Sequence, residues 1–302
     1  MKFDHLTYYD HAVGFLADSL SMGTLVPFLG AGVSSGARLP GWRSLVESLR
    51  NKVGLSNDGL DSSADSLERA ADEVRRKYYP DDERGFAELV QACLYHGISL
   101  DDSILGDRLL TSLAALMMGT RRGSVKRVVT FNFDSVLESY INLYGFVPRV
   151  VIQPPVDEGS EDVTLYHPHG FLPHPDLKIN GSNFVILGSR AINLRLGKPH
   201  DPWRETLHHV LSTGVGLFVG LSEHSFLDRA LAPVLTAVGE ELKERRPTGF
   251  WLLKSGDADA ANVDDEFLGC NIIPLRLPSY EDIPKLLLDV CQRAAMKIRV
   301  AD

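Results

Sequence analysis

The stretch Leu25–Trp42, with the sequence LVPFLGAGVSSGARLPGW, decides the fold of this chain. Its apolar start, Leu25 to Leu29, predicts a buried strand. Three glycines follow, and apolar residues at helical spacing predict a helix from about Trp42. A glycine-rich turn between a strand and a helix lets backbone N–H groups approach phosphate oxygens. The order of elements therefore predicts a nucleotide diphosphate site, with a tight structural turn as the alternative, because the full GxGxxG spacing is absent.

The composition is that of a globular protein. The 302 residues are 44% hydrophobic, and the formal net charge is -9, which argues against direct binding of nucleic acid. The first residues lack the pattern of a signal peptide, and no uncharged apolar run is long enough to span a bilayer, so we expect a cytoplasmic protein without a membrane anchor. The cysteines form no CxxC pair, which favours neither a zinc ribbon nor a redox dithiol: Cys93, Cys270 and Cys291.

Strand-like and helix-like segments alternate along most of the chain. This alternation predicts an α/β fold with a Rossmann-like, mainly parallel, doubly wound sheet that is covered on both faces. After the first strand, further strands are predicted at Val125–Phe131, Phe146–Ile152, Val163–Tyr166, Phe184–Leu187, Val215–Val219, Gly249–Leu253 and Ile272–Leu275. Helices are predicted at Tyr8–Leu20, Trp42–Val53, Asp201–Ser212, Ser225–Arg245 and Tyr280–Lys297.

Two further segments complete the predicted organisation. Residues 54–123 have helical spacing and no strand signal, so we interpret them as a helical insertion or cap within a single domain of residues 1–302. Such a subdomain would close over a site or form an oligomer contact, and the sequence leaves both open. The helix after the second strand has Ser135 and Glu138 at the spacing of a capping box.

Small and hydrogen-bonding residues follow four of the predicted strands. In parallel sheets the ligand lies at the carboxyl ends of the strands, where these residues would meet. Each group has a structural alternative. Asn132 or Asp134 would cap the following helix, His169 would be a turn histidine, and Gly220–Ser222 would form a turn. His167 and His169 lack the further donors that a metal site needs. The four groups are Gly30–Ser35, Asn132–Asp134, His167–Gly170 and Gly220–Ser222.

The motifs GAGVS, TFNFD, HG and VGLS, in this order, resemble those of the sirtuin fold over about residues 24–276. Two features depart from sirtuin deacylases. The chain has too few cysteines for their four-cysteine zinc module, and RLPGWR at Arg38–Arg43 replaces their GIPDFR continuation. With LPGW and HGFLP, the pattern is instead similar to the sirtuin-like domains of bacterial anti-phage systems that deplete NAD.

This resemblance implies that NAD is the substrate, that the nicotinamide–ribose bond is cleaved, and that no zinc or other metal takes part. It also implies the roles of three catalytic residues. Asp134 would hold the nicotinamide carboxamide, Asn132 would bind ribose or the attacking water, and His169 would act as general base. The residues that would bind the diphosphate, the nearby ribose and the adenosine side are Gly30, Ala31, Gly32, Ser34, Ser35, Gly220 and Ser222.

The sequence leaves other functions open. An NAD-dependent deacylase is the alternative enzyme, and a non-catalytic sensor of NAD or ADP-ribose that regulates a partner is the alternative of another class. A dehydrogenase is disfavoured because the glycine spacing is wrong. No sensor domain is predicted in the chain, so we expect regulation by homo-oligomerisation or by a separate partner, such as an ATPase or a nucleic-acid-guided protein.

Overall fold

A seven-stranded parallel sheet forms the centre of the protein. The computed structural model describes residues 3–61, 63–100, 104–120, 122–154, 161–177, 184–187, 200–221, 231–256, 267 and 269–296. All neighbouring strands of this sheet are parallel, in the order β3-β4-β2-β1-β7-β8-β9. These strands are β1 (Leu25–Leu29), β2 (Arg127–Thr130), β3 (Pro148–Val151), β4 (Val163–Tyr166), β7 (Val215–Val219), β8 (Gly249–Lys254) and β9 (Ile272–Leu277).

A separate antiparallel pair joins β5 (Gly170–Phe171) to β6 (Phe184–Val185). The prediction of a Rossmann-like parallel sheet is confirmed. The predicted strand at Phe184–Leu187 is shorter than expected and lies outside the main sheet, because its partner is the chain that follows β4.

Alternation of apolar side chains along the strands builds a core on each face of the sheet. Leu25 and Leu29 of β1 belong to the larger core, whereas Val26 and Phe28 belong to the smaller one. Parallel strands that are buried on both faces read as continuous apolar runs, which is the pattern of β1.

Nine helices of the described chain cover the sheet. Helices α1 to α6 and α9 contribute to the larger core, and α7 and α8 contribute to the smaller one. They are α1 (Tyr9–Ser21), α2 (Trp42–Lys52), α3 (Ala64–Tyr78), α4 (Glu83–Leu94), α5 (Arg108–Met117), α6 (Val136–Leu143), α7 (Pro202–Thr213), α8 (Ala232–Leu242) and α9 (Ile283–Ala295). No described helix is long and apolar enough to cross a membrane.

The segment 54–123 contains α3, α4 and α5, and its described residues contain no strand. Helix α3 packs on α2, and α5 packs on both α9 and α6. Buried residues of all three helices belong to the larger core, so their apolar faces are covered by the rest of the protein. The interpretation of this segment as a cap over a site stays a prediction.

The strand order has one switch point that matters for function. From β1 the chain moves to β2 on one side, and it later returns to β7 on the other side of β1. Connections that leave in opposite directions open a crevice at the carboxyl ends of the two strands. The switch point between β1 and β7 is therefore where a ligand of such a fold is expected.

Candidate functional site at the β1–β7 switch point

Glycines bring the loops after β1 and β7 into direct backbone contact. The Gly30 N–H donates to the Val219 carbonyl, and the Gly32 N–H donates to the Gly220 carbonyl, each at 3.0 Å. A Cβ atom on Gly30 would lie 2.5 Å from the Gly220 carbonyl oxygen, and one on Gly32 would lie 2.8 Å from Gly220 Cα. The glycines at these positions are therefore required by close packing of two loops, and the N–H groups of Gly30 and Gly32 are used inside the protein.

The predicted glycine turn folds as a 3-10 helix over Ala31–Ala37. Ala31 and Ser35 are exposed on it, and the Ser35 hydroxyl donates to the Gly32 carbonyl at 2.8 Å. Among the described residues the Ala31 N–H donates to no backbone carbonyl. Gly36 has a different reason to be glycine, since a Cβ there would collide with the carboxylate of Asp107, which caps α5.

Three of the predicted site residues form one hydrogen-bonded chain. The Asn132 Nδ2 atom lies 3.0 Å from the Gly30 carbonyl oxygen and 3.1 Å from Ser34 Oγ. Ser34 Oγ in turn lies 3.0 Å from Asp134 Oδ1. This hydrogen-bonded chain connects residues that are far apart in the sequence, because β1 and β2 are neighbours in the sheet.

The chemistry of these groups fixes the direction of the chain. The Gly30 carbonyl only accepts, so the Asn132 atom that faces it is the amide nitrogen. That nitrogen also donates to Ser34, whose hydroxyl hydrogen is then directed to Asp134. The remaining carbonyl oxygen of Asn132, Oδ1, is left as an acceptor for a hydroxyl group or a water molecule.

Asp134 also caps the helix that follows it. Its Oδ1 accepts a hydrogen bond from the Val136 N–H at 3.0 Å, as the structural alternative anticipated. The pKa of Asp134 is raised to about 6, mainly by burial and also by the nearby Glu138 carboxylate, against the lowering effect of hydrogen bonds from Val136 and Ser34. A carboxylate with a perturbed pKa at a ligand-binding edge is a mark of functional sites.

His169 lies in the turn after β4, which neighbours β2 in the sheet. It is partly buried, and its ring meets the ring of Phe131 edge to face with centroids 5.3 Å apart. Phe131 follows β2 directly and precedes Asn132. His169 therefore belongs to the same sheet edge as the Asn132 chain, one strand further from the switch point.

His167 is entirely buried. Its Nδ1 lies 3.0 Å from the Asn132 carbonyl oxygen, and its Nε2 lies 2.7 Å from Oε1 of Glu138, which is 3% exposed. The predicted capping box is therefore wrong: the Ser135 side chain makes no cap hydrogen bond, and Glu138 turns inward to the histidine. A buried carboxylate needs a hydrogen-bonding partner, and the imidazole of His167 provides one for Glu138.

A second buried network connects the helical segment to the site. The Tyr95 hydroxyl accepts from the Ser135 N–H and donates to the Leu172 carbonyl, each at 2.8 Å. Burial raises the pKa of Tyr95, so this hydroxyl keeps its proton. The His174 N–H donates to Ser135 Oγ at 2.8 Å, and Gln91 donates to the Pro173 carbonyl. Gln91 within α4 and Tyr95 directly after it thus hold the loops that carry Asp134 and His169.

The structure brings together most of the residues that the sequence singles out. Gly30, Gly32 and Gly220 meet at the switch point, and Ser34, Asn132 and Asp134 form the hydrogen-bonded chain. Ser222 lies outside the described residues. Among the residues that the structure describes, no group of three or more His, Cys, Asp and Glu side chains is placed to hold a metal ion.

Sequence reasoning did not assign Glu138 and Tyr95 to the site. Helical spacing places Glu138 beside the apolar stripe of α6 and not within it, so only the structure shows that this carboxylate is buried. Tyr95 lies 40 residues from Ser135 in the sequence, so no local pattern connects the two.

Comparison with known proteins finds one family that matches part of the chain. The family described as SIR2-like domain matches residues 126–275, just under half of the chain. The matched stretch contains β2, the Asn132–Asp134 loop, the His169 turn and β7. A chain from work on the structural basis for the mechanism and regulation of Sir2 enzymes is 15% identical, with 94% of this chain and 97% of that chain covered and a TM-score of 0.46. No curated protein matches the chain.

Proposed function

We propose that this protein is an NAD⁺ glycohydrolase, which hydrolyses the nicotinamide–ribose bond to give nicotinamide, ADP-ribose and a proton. The observation that carries the proposal is the directed chain from Asn132 through Ser34 to Asp134 at the carboxyl edge of β1 and β2. It presents an amide oxygen and a carboxylate next to the glycine loops of the switch point, which is the place where such sheets bind dinucleotides. The similarity of residues 126–275 to SIR2-like domains points to the same substrate.

The residues supply binding and proton transfer, and the leaving group needs little help. Nicotinamide leaves as a neutral base from a cationic ring, while the ribose develops oxocarbenium character. Asp134 Oδ2 accepts a hydrogen bond from the nicotinamide carboxamide N–H, since Oδ1 already accepts hydrogen bonds from the Ser34 hydroxyl and the Val136 N–H. Asn132 Oδ1 accepts from a ribose hydroxyl or from the attacking water, and the water loses its proton to His169.

The glycine residues of the two loops contribute to this proposal through their lack of a side chain. Gly30, Gly32 and Gly220 let two loops meet without side chains, which leaves room for a diphosphate to approach the backbone. Ala31 is exposed, and its N–H is the amide of this turn that we assign to the diphosphate, because it donates to no backbone carbonyl among the described residues. Gly220 and Ser222 would lie on the adenosine side.

The test is incubation of the purified protein with NAD⁺ while free nicotinamide, ADP-ribose and cyclic ADP-ribose are separated and quantified. Asn132→Ala and His169→Ala should each lower turnover by about 10²-fold or more, because both orient or deprotonate reacting groups. His208→Ala is the matched control, since His208 is exposed and bonded to Glu241 on α8, away from this edge. Full activity in both site variants would contradict the assignment.

Two arms of the same experiment separate the alternatives. Release of nicotinamide only when an acyl-lysine peptide is added would support a deacylase, and NAD⁺ binding without turnover would support a sensor. The NAD-depleting anti-phage role follows from the resemblance of the motifs. Its test is expression in infected bacteria, where the wild type should lower cellular NAD⁺ and the Asn132→Ala variant should not.

A further inference from the structure

We propose that His167 is a positioning residue that fixes the backbone of Asn132, and that Glu138 holds His167 in the orientation that this requires. The inference rests on the proposed function only where turnover is concerned. It gives a role to a buried histidine that the chemistry above leaves unused.

The hydrogen-bond partners determine how the His167 ring is protonated. Nδ1 faces the Asn132 carbonyl oxygen at 3.0 Å, and a carbonyl oxygen only accepts, so Nδ1 carries a hydrogen. Nε2 faces Glu138 Oε1 at 2.7 Å, and one proton lies between these two atoms whichever of them holds it. Both ring nitrogens are therefore engaged, and the ring has no nitrogen left for a substrate.

Three elements of the fold hold this ring in place. His167 follows β4, Asn132 follows β2, and Glu138 lies on α6. The ring of Phe171 meets the imidazole edge to face, with centroids 4.9 Å apart. With 0% of its surface exposed, the imidazole has a single orientation, because rotation would break two buried hydrogen bonds.

His167 orients the Asn132 side chain by fixing the Asn132 backbone. The Asn132 N–H donates to Thr130 Oγ1 at 3.2 Å, and its carbonyl is held by His167. With both sides of the residue fixed, its side-chain amide is directed to the Gly30 carbonyl and to Ser34. Loss of the Nδ1 hydrogen bond would let this peptide rotate and would turn Asn132 Oδ1 away from the reacting atoms.

A pair of substitutions separates this role from simple filling of the core. The amide of Asn places a donor where His has Nδ1, whereas the amide of Gln places it where His has Nε2. His167→Asn therefore keeps the bond to Asn132, and His167→Gln keeps only the bond to position 138. Both are made with Glu138→Gln, which removes the buried carboxylate that would otherwise lose its partner.

Turnover and amide hydrogen exchange are then measured on the full chain. We expect the variant with His167→Asn to keep kcat within about fivefold of the Glu138→Gln parent, and the variant with His167→Gln to lose about 10²-fold in kcat with little change in KM, because misplacement affects orientation more than binding. Exchange of the amides in residues 131–135 should rise strongly only in the His167→Gln variant, at equal thermal stability.

The outcomes distinguish this inference from the proposed function. Equal loss of kcat and equal exchange in the two variants would overturn the positioning role and leave the hydrolase proposal intact. A wild-type protein that never cleaves NAD⁺ would contradict the proposed function, while the exchange comparison would still decide whether His167 fixes the Asn132 loop.

Discussion

The substitution Asp134→Asn should stabilise the protein at neutral pH and abolish its catalysis. Asn keeps an oxygen that accepts from Ser34 and from the Val136 N–H, and it removes the charge that burial disfavours. The pKa of this carboxyl rises from its ordinary value of 3.8 to about 6 on folding. At 1.36 kcal/mol per pKa unit, ionised Asp134 costs the native state about 3 kcal/mol.

The gain in stability from Asp134→Asn should depend on pH. Because the folded pKa lies above the unfolded one, the protonated group favours the native state, and stability is lost as the pH rises from about 4 to about 6. The variant lacks this loss. Its advantage should be close to zero below about pH 4, roughly half complete at about pH 5 and about 3 kcal/mol at about pH 8.

Urea unfolding of both proteins at these pH values measures the difference. Asp201→Asn is the control, because Asp201 caps α7 with the same bond to the N–H two residues on, and in the described part of the chain no hydroxyl like that of Ser34 donates to it. The reasoning is refuted if Asp134→Asn destabilises the protein at every pH, or if its pH dependence equals that of the control. A more stable but inactive variant would show that the site keeps a carboxylate at the expense of the fold.

Two further substitutions test how the loops are held. Gly30→Ala should destabilise the protein by about 2 kcal/mol or more and disrupt NAD⁺ binding, since its Cβ meets the Gly220 carbonyl at 2.5 Å. Gly14→Ala, in the open middle of α1, should instead stabilise by about 0.5–1 kcal/mol, and thermal melting compares the two. Tyr95→Phe should cost about 2–4 kcal/mol, because it leaves the Ser135 N–H and a carbonyl buried without partners. A change below about 0.5 kcal/mol on urea unfolding would show that the Tyr95 hydroxyl does not hold these loops.

The sequence by itself determined the parallel sheet and the edge at which the polar residues meet. The apolar runs Leu25–Leu29 and Val215–Val219 are buried along their whole length, as strands covered on both faces are, and the segments between the predicted strands have helical periodicity. Because every such strand leads its polar loop to the same side, the meeting of Ser34, Asn132 and Asp134 followed from the order of elements.

Only the tertiary structure decided how those residues are connected and which of them are structural. The capping-box spacing of Ser135 and Glu138 is a local signal, and it failed because a histidine 29 residues away competes for the carboxylate. Likewise, the spacing of Gly30 and Gly32 suggested N–H groups for phosphate, whereas the carbonyls of Val219 and Gly220, at the end of another strand, accept hydrogen bonds from those groups. Local spacing determines which contacts a residue is able to make, and the packing of distant strands selects the contact that it does make.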